Sequence, residues 1–207
     1  MTRPNFDLSP YVAEWATMRR AVWLLGAFVA LGPVVAYGKE CKGVMFPEQT
    51  QVDGAALTLN GVGLHRATLL KVEAYVAGLY VTKASKEPNA LLESNSPYVL
   101  ILQVLRNVGA GDIRKGWDDG FEGNAKAQLP ALKERIAVLD SWMTDMKTGQ
   151  RMTYSFSPGV GVLVNVNGAV KGTIKGDDFG KAFLSILLGA DPPDAGLRAG
   201  LLGGACG

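Results

Sequence analysis

LNGVGLHRATLLKVEAYVAGLYV, Leu59 to Val81, sets glycines beside a His-Arg pair and then enters a long β-prone run. Glycine in a strand forfeits side-chain packing, so Gly61, Gly63 and Gly78 leave room for another backbone or for a ligand. A second run, NGAVKGTIKGDDFGKAFLSILLG, Asn167 to Gly189, reads as a hairpin followed by a helix. Asn167-Gly168 is a strong hairpin signal. Asp177 and Asp178 suit a helix start, and Phe179, Phe183, Ile186 and Leu187 form one apolar stripe.

Working outward, Val44 to Val81 is strand-like, with a turn at Asp53-Gly54. Pro88 to Glu93 makes a short helix or turn. YVLILQVL, Tyr98 to Leu105, is nearly continuous in apolar residues and fits a strand covered on both faces. Helical spacing follows: Ile113, Trp117, Phe121 and Asn124 share one face, and Leu129, Leu132, Ile136, Leu139 and Met143 share another, with Pro130 in a first turn. Met152, Tyr154 and Phe156 then alternate with polar residues, as do Val160, Val162, Val164 and Val166. At the Asn-Gly turn, a two-residue loop sets Val164 against Lys171. A three-residue loop, Asn167 to Ala169, sets Val166 against Val170 and Val162 against Ile174, and burial of one face selects it. A last helix is expected from about Pro193 to Leu202. The order of strands and helices predicts an α+β domain, a layer of helices on one face of a mostly antiparallel sheet.

The front of the 207-residue chain differs from the rest. Arg19 and Arg20 precede an apolar run from Ala21 to Val35, and Ala36-Tyr37-Gly38 offers small residues for cleavage. That is the layout of a secretory signal peptide, so residues 1–38 are read as extension plus signal and 39–207 as one domain. A membrane anchor is the alternative, but Gly26, Gly32 and Pro33 interrupt a run shorter than the ~20 residues a spanning helix needs. Met18 offers a second start. The expected location is periplasmic or secreted, without stable membrane insertion after cleavage. Three of the 21 basic and two of the 19 acidic residues lie in 1–38, leaving 18 against 17. No basic stripe points to nucleic acid. Cys41 and Cys206 either close the domain into a loop in an oxidising compartment or remain as two thiols.

The two quoted runs, with Leu105-Arg106-Asn107-Val108 between them, resemble the bacterial branch of the chalcone isomerase superfamily over about Gly54 to Gly203. That family opens a ligand-facing strand with Leu-x-Gly-x-Gly-Leu-Arg, continues into Tyr-Val-Ala-Gly-Leu-Tyr, and closes with Asn-Gly, Gly-x-Ile-x-Gly-x-x-Phe and a helix ending in Leu-Gly. The resemblance implies a chalcone isomerase-like open-faced sandwich. In the plant isomerases an arginine, a strand threonine, a helix tyrosine, an asparagine seven residues later and a late-helix hydroxyl polarise the ligand while a phenolate attacks an enone. Carried over, His65 takes the arginine's place with Arg66 next to it. Tyr75 takes the threonine's, Trp117 the tyrosine's, and Ile186 the hydroxyl's with Ser185 beside it. Only Asn124 is retained, so the catalytic set looks dismantled.

The residues themselves carry no other catalytic kit. One histidine, no Cys/His cluster, no phosphate loop and no nucleophile elbow predict neither a metal nor a cofactor. Chemistry then rests on holding a ligand in an apolar cleft with a few polar groups. His65, Arg66, Tyr75, Trp117 and Asn124 are the ligand-binding candidates. His65 and Tyr75 share strand parity, whereas Arg66 faces the other way unless a bulge intervenes. Plain alternatives stand beside each: a strand histidine, a solvated arginine, core aromatics, an asparagine cap. Three functions are carried forward in order. The first is a non-catalytic binder of a small amphipathic ligand, a fatty acid or a phenolic, entering as a carboxylate or phenol. The second is an isomerase or intramolecular lyase with an altered polar set. The third is a structural module of the envelope, with the oligomeric state left open.

Overall fold

Strands β1 (Lys39–Cys41) and β2 (Val44–Phe46) pair as a small separate hairpin, turned by Lys42 and Gly43, both at positive φ. The computed structural model describes residues 38–67 and 71–207. The expected signal sequence and the alternative start Met18 lie outside these residues.

The main sheet holds seven strands in chain order: β3 (Gln49–Val52), β4 (Ala55–Ala67), β5 (Val72–Val81), β6 (Tyr98–Val104), β7 (Arg151–Ser157), β8 (Gly161–Val166) and β9 (Ala169–Ile174). Every neighbouring pair is antiparallel. Helix α1 (Pro88–Leu92) joins β5 to β6. Helices α2 (Ala110–Asn124) and α3 (Leu129–Trp142) lie between β6 and β7, and α4 (Asp177–Leu188) and α5 (Ala195–Leu201) follow β9. The sheet curls into a half-barrel, bringing the β3–β4 turn to the end of β7, where the Ser157 hydroxyl donates to the Asp53 carboxylate. This is the α+β architecture expected, with all the large helices on one face.

Alternation divides the strands between two cores. On the helical face, Leu79, Leu100, Leu102, Tyr154 and Val164 pack under Phe121, Leu139, Phe179 and Phe183. On the other face, Phe46, Leu57, Val62, Leu64, Val76 and Tyr80 form a second cluster, covered by the β1–β2 hairpin. Cys41 belongs to this cluster and is bonded to Cys206, with Cα atoms 5.9 Å apart. Tyr98 to Leu105 is therefore nearly continuous in apolar residues because it feeds both cores, Leu100 and Leu102 one way and Val99 and Ile101 the other.

One irregularity in β4 sets where its side chains point. The register slips between Leu59 and Gly61, so Asn60 is the extra residue. That slip lets Leu57 and Val62, five positions apart, enter the same core. The Asn60 amide is redirected to the Ser85 and Leu201 carbonyls and accepts from the Ser85 N–H. Beyond it, Gly61 and Gly63 are the seat of α5: a β-carbon at either would strike the Gly200 or Leu197 carbonyl oxygen. At Gly78 a β-carbon would strike the Phe46 ring. The glycines thus make room for the protein's own helix and hairpin, not for a ligand.

The β8–β9 hairpin corrects the expected register. Asn167 and Gly168 form a two-residue turn at positive φ, pairing Val166 with Ala169 and Asn165 with Val170. A bulge at Lys171 then pairs Val164 with Gly172 and restores the expected Val162–Ile174 pair. The tight turn and the buried valine face are both satisfied because the bulge absorbs the mismatch. Val160, expected in the strand, is exposed in the turn before it.

Candidate functional site

Where β4 and β5 run toward the start of α2, the helices stand off the sheet and leave a cavity of about 160 Å³. Tyr75, Val104 and Met152 supply its sheet side, Ile113 and Trp117 its helix side, and Ile186 of α4 reaches in beside them. The lining is predominantly apolar; its polar side chains include His65 and Tyr75, which face each other across β4 and β5, and Asp112 on α2. Two larger hollows elsewhere differ in kind. One is walled by Lys83 and several serines, and the other is an open groove between α2 and α3.

His65 and Tyr75 are a directly opposed pair on β4 and β5, with ring centroids 4.7 Å apart and the rings stacked. Immediately beyond them the register slips again, His65 facing Tyr75 but Arg66 facing Glu73, and Ala74 is the extra residue in the wall. Burial holds the His65 imidazole below its ordinary pKa, against the pull of nearby Asp194. Burial, reinforced by Asp194, keeps the Tyr75 phenol protonated. At neutral pH this part of the wall therefore offers a neutral imidazole and a phenol, which can orient a ligand by hydrogen bonds.

Trp117 is held by three contacts: edge-on against Tyr154 at 5.4 Å, tilted against Phe183 at 5.0 Å, and along the cavity wall. It is at once core and wall. Its indole N–H leans on the Tyr154 phenol without reaching hydrogen-bonding geometry. His65 Nδ1 is likewise buried without a partner. Ile186, in the place of the family's hydroxyl, adds only hydrocarbon. The Ser185 hydroxyl donates to the Ala182 carbonyl of its own helix.

Two candidates stand elsewhere. Arg66 is not part of the wall: its guanidinium lies beside Gly207 and Gly196, on the face it shares with Leu64. The slip after His65 falls on β5, not β4, so it does not turn Arg66 inward. Asn124 also lies away from the cavity. Its amide donates to the Gly120 and Asp191 carbonyls and accepts from the Asp191 N–H, tying the end of α2 to the loop after α4. It is a structural staple at the helix end.

Sequence reasoning missed Ala74, Gly116, Asp112 and Asp194. Asp194 caps α5, its Oδ1 accepting from the Gly196 and Leu197 N–H groups at 2.6 and 3.1 Å. Its Oδ2 accepts from the Arg66 N–H at 2.9 Å. Pro-Pro-Asp before a small-residue helix was a readable capping signal; its nearness to His65 was not. Burial pushes the Asp194 carboxyl up, but these N–H donors and nearby His65 hold it below the usual carboxylate range. Among the described residues lining the cavity none is lysine or arginine, so no fixed positive charge stands where an enolate or phenolate would develop. No group of three or more His, Cys, Asp or Glu side chains among the described residues is placed to hold a metal.

The fold matches the crystal structure of a fatty-acid binding protein from Arabidopsis thaliana with a TM-score of 0.63, covering 77% of this chain and 92% of that one at 17% identity. At that identity the likeness concerns the fold alone. No curated protein sequence matches the chain. The profile of the family described as chalcone isomerase-like matches residues 38–203, nearly all of the domain traced above, and the chain belongs to that family.

Proposed function

We propose that this protein is a non-catalytic carrier or sensor of a small amphipathic molecule, such as a fatty acid or a phenolic, acting outside the cytoplasm. The observation that carries the reading is the apolar cavity between sheet and α2, with His65 and Tyr75 in its wall. An engineered cavity of about 150 Å³ takes up benzene. About 160 Å³ therefore holds one aromatic ring or a short stretch of acyl chain, with the rest of a longer ligand passing the rim. The likeness to a fatty-acid binding protein supports an acyl ligand. The loss of the polarising arginine and hydroxyl supports binding without turnover. The Cys41–Cys206 bond and the Arg19 to Gly38 segment support an oxidising compartment reached by export.

Gly116 supplies the test. It lies at the cavity rim on α2, and a β-carbon there meets nothing within 4 Å. Gly116→Leu should plug the entrance while helping the helix. Native mass spectrometry and calorimetry with medium-chain fatty acids, alcohols and simple phenols are expected to show one ligand per protein, lost in Gly116→Leu at an equal or higher melting temperature. A protein that ignores the whole panel, or a plugged variant that binds as before, would overturn the reading. A chalcone mixed with the protein should fade at the uncatalysed rate, and a faster fade would restore the isomerase.

A further inference from the structure

We infer that the cavity prefers an amphipathic ligand whose polar end donates hydrogen bonds, a hydroxyl or an ammonium, over one that ends in a free carboxylate. The inference rests on the binding reading above and narrows it.

An anionic head group needs a cation or unspent N–H donors. Arg66, the one guanidinium adjacent in sequence to the site, is turned to the opposite face beside Leu64 and Gly207. Two helices begin next to the cavity, and the protein's own acids stand at both beginnings. At α2 the Ala110 N–H donates to Asp145 Oδ1 at 2.8 Å, and Asp112 occupies the first turn with its side chain at the rim. At α5 the Asp194 carboxylate takes the Gly196, Leu197 and Arg66 N–H groups. Asp194 also acts electrostatically on both His65 and Tyr75.

The cavity thus presents a phenol, an imidazole and the Asp112 carboxylate, with Asp194 held on the Arg66 N–H next to His65. A carboxylate placed there meets like charge in a partly desolvated setting, where charges a few ångströms apart interact far more strongly than in water. A hydroxyl can donate to Asp112 and accept from Tyr75 or His65. An ammonium donates and gains the attraction of both acids.

Three probes of one chain length separate these cases: 1-octanol, octylamine and octanoate, titrated calorimetrically into the disulfide-bonded protein at pH 7.5. Octanol and octylamine are expected to bind at least about tenfold more tightly than octanoate, a gap that shrinks in high salt. Asp112→Asn keeps the size and removes an acid, so it should narrow the gap. Octanoate binding as tightly as octanol overturns this inference and leaves the proposed function standing. A gap unchanged by both Asp112→Asn and salt overturns it equally. If none of the three binds, the binding reading itself fails, and this inference with it.

Discussion

His65 and Asp140 leave opposite marks on the protein's stability as pH changes. His65 is held neutral by burial, so its folded pKa lies below the ordinary value near 6.5. A depressed histidine contributes stability that is complete above the unfolded pKa and is lost as pH falls below about 6.5. Asp140 on α3 is the reverse. Burial, with the Asp118 carboxyl facing it, raises its pKa to about 6 despite Arg114, and its Oδ1 has no hydrogen-bond partner. Its protonated form suits the fold, so stability is lost as pH rises from about 4 through 6. Asp140→Asn should raise the denaturation midpoint at pH 7, by roughly 1 kcal/mol or less because solvent screens this half-exposed group. The gain should vanish at pH 4. A gain of equal size at both pH values would point to packing rather than charge.

At this scale the sequence was partly legible. Strand parity placed His65 and Tyr75 on one face, and they stack. Helical spacing placed Trp117 toward the core, where it also walls the cavity. Asn124 misled because spacing alone gives it the stripe of Ile113 and Trp117. A residue at a helix end answers to its neighbours across the gap, here Asp191.

At the scale of elements, the glycines of β4 and α2 make opposite predictions from the same substitution. Gly63→Ala sets a methyl group against the Leu197 carbonyl of α5, and two backbones cannot give way as a flexible side chain does. A loss of about 2–3 kcal/mol in urea unfolding is expected. Gly111→Ala in the first turns of α2 meets nothing within 4 Å. It should be neutral or stabilise by up to about 1 kcal/mol through reduced chain entropy. Equal effects from the two would mean that α5 is not seated on β4 as described. The β-bulges are the elements that sequence did not disclose. Hydrophobic alternation reports which residues want burial, but an inserted residue at Asn60, Ala74 or Lys171 changes parity without changing composition. The fold survived that blindness, since the strands and large helices fall where their patterns place them. The site survived in part: His65, Tyr75 and Trp117 line the cavity, whereas Arg66 and Asn124 do not, because bulges and helix-end contacts decide which polar groups reach it.

For the whole molecule, the governing link is Cys41–Cys206, which closes a loop of 165 residues. Cross-links over so long a loop stabilise chiefly by restricting the unfolded chain, by about 3–5 kcal/mol. Cys41→Ser, or reduction of the native protein, should lower the urea midpoint accordingly. A midpoint indifferent to reductant would show that the bond is not formed in solution. The bond also holds the tail behind α5 against the second core, so the cover over Gly61 and Gly63 is fixed at both of its ends, by Asp194 before it and Cys206 after it.

That arrangement gives the domain a history as it is made. Arg66 is translated 128 residues before Asp194, its partner across the α5 seat. Throughout that interval the glycine floor of β4 has nothing to lie against it, and the non-local pairing that completes the fold must wait. A nascent chain halted after Gly189 would present this bare strand to chaperones. The same delay postpones closure of the domain until nearly all of the chain has been made.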